Sequence, residues 1–254
     1  MSTRLPLGIV TLSVDWRAGD SRTNHATPDA GRWLLDRLST HKIDATWGLE
    51  GLEESALATA HRLSAAGQDI ALMDKGAPAG SLLGQADFAR RIRQQIAAMK
   101  TSGVMATTLV LPAPPTAEQC DVASRHGLLA VRHASEHARR WQPKAMRFGL
   151  WSFPTAITLP RATRWWPGGG GSRAVRRDID TVIASRAIAP VAIDLTQLAR
   201  RGGLARGVVE RVLQHLARRR DEGRLEVLTV NAAAMRLASL HQGRPSRSIL
   251  RPAA

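Results

Sequence analysis

Leu7-Gly8-Ile9-Val10-Thr11-Leu12-Ser13-Val14, running into Asp15-Trp16-Arg17, is the stretch that decides the fold. Its apolar residues do not alternate with charged ones, so it reads as a strand buried on both faces. Strands of that kind belong to parallel sheets covered by helices. The rest of the chain repeats the theme. Thr27-Pro28-Asp29 opens a helix through Thr40, with Thr27 as N-cap and Pro28 at the first helical position. Strands follow at 45–48, 69–73, 105–111, 128–131, 190–194 and 225–230. Helices are expected at 54–66, 85–101, 117–126, 178–185, 205–222 and 232–240. Residues 136–177 are irregular, with a strand or two near Phe148–Phe153. About seven βα units within 240 residues predict an α/β fold, a (β/α) barrel that is complete or seven-stranded and incomplete. An open doubly wound sheet is the alternative, but Gly-x-Gly-x-x-Gly does not follow the first strand. Residues 1–240 are expected to form this domain and 241–254 a basic, disordered tail.

Composition narrows the class. Of the 254 residues, 44% are hydrophobic and 22% charged, the balance of a globular protein. No apolar run is long enough to span a bilayer, and Met1-Ser2-Thr3-Arg4-Leu5-Pro6 lacks a secretory pattern. A single cysteine, Cys120, excludes an intrachain disulfide framework. A cytoplasmic location is the expectation. The net charge of +15 is uneven: residues 1–124 carry 12 Lys/Arg against 13 Asp/Glu, and residues 125–254 carry 24 against 8. The basic half, with Arg218-Arg219-Arg220 on an amphipathic helix near Arg200, Arg201, Arg206 and Arg211, suits either an anionic partner or a solvated surface. No nucleic-acid reading motif accompanies it.

In a β/α barrel, chemistry sits at the C-terminal ends of the strands. There the sequence places Asp15-Trp16-Arg17, Trp47-Gly48-Leu49-Glu50, Met73-Asp74-Lys75, Pro112-Ala113-Pro114-Pro115, Arg132-His133 and Asp194. Trp16, Trp47, Trp151, Trp165 and Trp166 are candidates for a sugar-stacking platform, with core packing as the alternative. His133 and His137 would share a face only if helical. Gly168 to Gly171 could cradle an anion.

In their order, L-S-V-D-W, D-A-T-W-G-L-E-G, A-A-G-Q-D-I-A, L-V-L-P-A-P-P, R-F-G-L-W-S-F-P-T-A-I, the Gly168–Gly171 stretch, A-P-V-A-I-D and L-E-V-L-T-V resemble a polysaccharide deacetylase domain of the NodB homology type. The resemblance covers most of residues 7–240. It implies a barrel of the glycoside hydrolase and deacetylase type, and hydrolysis of N-acetyl groups on amino sugars. In that chemistry an Asp and two His hold a divalent metal such as zinc, a second Asp is the base, and a later His protonates the leaving amine.

The resemblance also shows where this chain departs. Asp15 matches the base, but Trp16 stands where the metal-binding carboxylate belongs. Met73 and Ala77 stand at the two histidine positions. The third motif's arginine falls near Val110 or Leu111, and the final histidine near Ile193 or Asp194. Thioether, methyl and indole groups are poor ligands for such a cation. The expectation is therefore a non-catalytic carbohydrate-binding or regulatory relative with no metal site. Asp15 is its catalytic-position residue, and Trp16, Trp47, Asp74 and Asp194 its substrate contacts, for an N-acetylated glycan. Two alternatives stand beside it: a hydrolase with displaced ligands drawn from Asp15, Asp69, Asp74 and Asp194, and a scaffold for an anionic partner.

Overall fold

A computed structural model describes residues 7–17, 26–51, 54–74, 82–135, 142–160 and 170–242. Along the chain run β1 (Gly8–Trp16), α1 (Ala26–Thr40), β2 (Thr46–Glu50), α2 (Glu54–Ala65), β3 (Asp69–Met73), α3 (Leu82–Thr101), β4 (Ala106–Leu111), α4 (Ala117–Arg125) and β5 (Ala130–Ala134). Then come β6 (Lys144–Ala145), β7 (Trp151–Thr155), β8 (Ile157–Leu159), α5 (Gly170–Ser185), β9 (Ile188–Asp194), α6 (Leu195–Asp221), β10 (Leu225–Leu228) and α7 (Val230–Gln242).

The strand order β7-β5-β4-β3-β2-β1-β9-β8 is a ring. Its two ends are one chain segment, because only Ala156 separates β7 from β8. Every ladder around the ring is parallel. The Ala156 N–H donates to Pro190 O at 2.8 Å and joins the two halves of the seam. Counting β7 and β8 as one staggered strand, this is the seven-stranded barrel that the sequence suggested. β10 pairs with the first half of β1, below the part that β2 occupies, and β6 adds an antiparallel edge to β7.

β1 shows why its sequence looks uniformly apolar. Val10, Leu12 and Val14 face the helix layer, in the main core with Trp47, Leu72 and Leu109. Ile9, on the other face, packs on Ile188 and on Leu237 of α7 inside the barrel. That parity sends Thr11, Ser13 and Asp15 inward as well. The barrel's base is closed by α7. Its Val230 and Ala233 pack on Trp151 and Phe153. Its N-terminus is held by two strand side chains: Val230 N–H donates to Thr46 Oγ1 at 2.9 Å, and Asp69 accepts from the backbone of Asn231. A hydroxyl and a carboxylate at a helix N-terminus satisfy its free N–H groups.

The expected elements are found, with shifted ends. Thr27 lies within the first turn of α1 and so is not its N-cap. The expected helices at 178–185 and 205–222 are the later parts of α5 and α6, which begin at Gly170 and Leu195. In α6, Gly202 (φ 59°, ψ −138°) interrupts the helix after its first turns. A residue with a Cβ is rarely tolerated in that conformation. The tail from 243 onward lies outside the described residues. No described helix is long and apolar enough to cross a membrane.

Candidate functional site

At the C-terminal ends of the strands the barrel opens into a cavity of about 700 Å³. Asp15 reaches it from β1, Glu50 from β2, Met73 from β3 and Asp74 from just beyond it, Val110 from β4, Arg132 from β5, Thr155 from β7 and Asp194 from β9. Except for Asp74, which follows the last residue of β3, each comes from the inward-facing set of its strand, which is why residues so far apart in sequence converge. Gly48 leaves room beneath them: a Cβ there would lie 3.0 Å from Met73 Cε and 3.3 Å from Val110 Cγ2.

Asp15 Oδ1 accepts from Arg132 Nη2 in a buried ion pair, and Arg132 is only 3% exposed. The same guanidinium donates through Nη1 to Thr155 Oγ1 at 3.0 Å. Burial pushes the Asp15 carboxyl above the usual aspartate range, opposed by Arg132 and Arg17, while Asp194 adds to the upward push. Asp74 is clamped from α3: Arg91 donates Nε to Oδ1 at 3.0 Å and Nη2 to Oδ2 at 3.2 Å. This is the two-pronged geometry that best suits arginine and carboxylate. Asp194 ends β9 and caps α6, accepting from Gln197 N–H at 2.9 Å.

Three predicted residues therefore meet at the mouth: Asp15, Asp74 and Asp194. The two tryptophans do not line it. Trp47 is fully buried in the helix-facing core, with Nε1 donating to Gln68 Oε1 at 3.2 Å, so it offers no surface to a ligand. Trp16 is half-buried on the same outer face, 6.2 Å from Trp47 between ring centroids. A Cβ on Gly31 would lie 2.9 Å from its ring. Strand parity explains both positions, since each residue next to an inward one points outward. Trp151 fills the barrel's base, and Trp165 and Trp166 lie outside the described residues.

Other expectations change in the same way. Asp69 begins β3 and Asp74 follows its last residue, so they stand at opposite ends of the barrel, about 16 Å apart at 3.3 Å per residue. Asp69 accepts from Thr46 Oγ1 and Thr107 Oγ1 at the base and cannot join a ligand set at the mouth. His133 lies in β5, so an i, i+4 pairing with His137 does not put the two on one helical face; His137 itself is outside the described residues, as are Gly168 and Gly169. Gly170 and Gly171 belong to α5. In the basic run, Arg219 bonds Asp180 and Glu222, Arg220 bonds Asp221, and Arg218 bonds His215. Much of that charge is answered within the chain.

Sequence reasoning missed the central role of Arg132. It sits in register with Val110 on the neighbouring strand. The resemblance expects an arginine near Val110 or Leu111, and here one enters the mouth a strand further on. The available signal was Ala130-Val131-Arg132: an arginine sharing the inner face with a small residue requires a buried acid partner.

The donor set does not fit the divalent metal that the resemblance implies. Among the described residues, no group of three His, Cys, Asp or Glu side chains converges to hold an ion. Asp15 and Asp74 are each bound to a guanidinium, and Met73 offers a thioether where a hard or borderline cation prefers nitrogen or oxygen. Ala77 lies outside the described residues.

No protein-family model matches the sequence, and no curated protein matches it. Solved structures do match in fold. A CE4 family pseudoenzyme from Bacillus anthracis aligns with a TM-score of 0.55 at 12% identity, over 90% of this chain and 66% of its own. A mutant of that protein with restored enzymatic activity aligns equally well, at 13% identity over 90% of this chain and 68% of its own. Puue allantoinase gives a TM-score of 0.69 at 7% identity, over 92% of this chain and 91% of its own. The 4-alpha-glucanotransferase of Thermococcus litoralis gives 0.62 at 11% identity, over 91% of this chain. This chain spans about two thirds of the length of the pseudoenzyme and 40% of the glucanotransferase. At these identities the likeness establishes the architecture: a (β/α) barrel of the kind found in CE4 proteins.

Proposed function

We propose that this chain is a degenerate relative of the polysaccharide deacetylases that holds carbohydrate in its barrel mouth without hydrolysing it. The observation that carries this reading is the Asp15–Arg132 ion pair. In the deacetylase chemistry the base must take a proton from a metal-activated water. Here Oδ1 of the carboxylate at that position already accepts from a guanidinium, and no described constellation would activate the water. Its fold-likeness to a CE4 pseudoenzyme supports the same reading.

The mouth retains what a sugar would use. Thr155, Thr158 and Ser135 line it with hydroxyls, and Asp15, Asp74 and Asp194 present acceptors for sugar hydroxyl groups. An N-acetylated glycan is the proposed ligand class. Calorimetric titration with N-acetylated chito-oligosaccharides tests this, with acetate release followed in parallel in the presence of zinc. The expected result is saturable binding that Asp194→Asn weakens, with no acetate formed. Acetate release that depends on zinc and on Asp15 would establish a hydrolase instead, and absence of binding would remove the carbohydrate reading.

A further inference from the structure

We propose that the face of the barrel opposite the mouth docks on an anionic lipid surface. Five large hydrophobic side chains are exposed among the described residues, and four of them lie at this end: Met105 (80% exposed), Phe148 (64%), Met235 (54%) and Leu129 (40%). Met105 immediately precedes β4, Leu129 immediately precedes β5, and Phe148 lies three residues before β7. Those strands are consecutive around the ring. Backbone bonds tie their leading ends together, from Leu129 N–H to Thr107 O at 2.8 Å and from Trp151 N–H to Leu129 O at 3.1 Å. Met235 belongs to α7, the helix that closes this end. The apolar side chains therefore share one end of the barrel, three of them in the connections that lead into β4, β5 and β7.

In the three connections that carry Met105, Leu129 and Phe148 the charge has one sign, whereas elsewhere at this end Asp44 is exposed and Glu226 pairs with Arg236 beside Met235. The connections 102–105, 126–129 and 142–150 contain Lys144, Arg147 and His126, and no Asp or Glu. Lys144 and Arg147 are exposed. Protruding aromatic, thioether and leucine side chains among basic groups suit the boundary between acyl chains and anionic headgroups, which demands no shape-matched pocket. The net charge of +15 adds long-range attraction to such a surface.

Phe148 supplies an independent indication. It adopts the left-handed conformation, φ 61° and ψ 27°, which bulky residues disfavour. Glycine would sit there more easily, yet the position holds a phenylalanine presented to solvent. A strained residue with an exposed aromatic ring is a reason to look for function. Docked in this way, the barrel would turn its mouth away from the bilayer.

Co-sedimentation of the full chain with vesicles tests the proposal, comparing equal parts phosphatidylcholine and phosphatidylglycerol with phosphatidylcholine alone. Binding is expected to the anionic vesicles and not to the neutral ones. Lys144→Gln with Arg147→Gln should weaken it about thirtyfold, from about fivefold per basic group. Met105→Ser with Phe148→Ser should weaken it while the circular dichroism spectrum stays that of the parent. Phe148→Gly should lose vesicle affinity yet melt no lower than the parent. Three results would overturn the proposal: no binding to anionic vesicles, binding unchanged in the Met105/Phe148 variant, or a dimer in sedimentation equilibrium that these substitutions disperse while vesicle binding is absent. The last would make the face an interface between copies of the chain.

Discussion

Asp15 at the end of β1 and Arg132 on β5 join across the barrel mouth from strands that do not pair with each other. Under the proposed function, the contact closes over the place where a deacetylase would keep its reacting groups. It also couples two walls of the ring, so its removal has consequences for stability as well as for ligand binding.

Breaking the pair should be expensive. Asp15→Ala or Arg132→Ala leaves one enclosed charge without its partner, and each should cost about 3–5 kcal/mol. Replacing both by apolar residues of similar size, Asp15→Leu with Arg132→Met, should recover most of that loss. Urea denaturation of the four proteins measures it. Single variants as stable as the parent would show that the two groups are not enclosed together.

Asp69 gives the chain a pH dependence of known sign. Burial raises its carboxyl above the ordinary value of 3.8, outweighing the hydrogen bonds from Thr46 and Thr107. Its contribution is fully present below that ordinary value and is lost as pH rises through the raised one. The stability difference between the parent and Asp69→Asn should therefore shift against the parent as pH climbs through the mildly acidic range. Melting temperatures of both proteins across that range check the slope, and a shift in the opposite direction would contradict it.

His215 acts in the other direction. Burial lowers its imidazole below 6.5, against the pull of Asp180, which accepts from its Nε2 at 3.1 Å. The stability it contributes is present above 6.5 and falls away as pH drops through the lowered value. A His215→Gln variant should lose less stability than the parent on acidification from neutral pH, as read by chemical denaturation at each pH. An identical loss in both would remove His215 from the account.

Trp47 separates packing from recognition. It is fully buried and bonded to Gln68. Trp47→Ala should cost about 3–5 kcal/mol as a core truncation and leave the mouth's glycan affinity unchanged wherever the variant is folded. A selective loss of affinity at full stability would place the indole in the binding site after all.

The sequence made the barrel readable because its strands carry their burial in their composition. The run from Leu7 to Val14 reads as a doubly covered strand, and Asp69-Ile70-Ala71-Leu72-Met73 was found at its observed bounds. The mouth was half readable. Asp15, Asp74 and Asp194 follow from the rule that function sits at strand ends. Trp16 and Trp47 do not, because a strand's end fixes height along the barrel while the parity of the residue fixes which side it faces. Arg132 was hidden for a related reason: a pair made across the barrel has no sequence spacing, and only the closed ring brings β1 and β5 face to face. The exposed base was equally hidden, since Met105, Leu129 and Phe148 look like core residues until the ring places them at its rim.

Titration of the full chain with zinc at neutral pH tests most directly whether this mouth has exchanged a metal for an arginine. The account predicts no one-to-one, high-affinity zinc uptake that disappears in Asp15→Asn. One equivalent of zinc held tightly by the parent and released by that single substitution would contradict it.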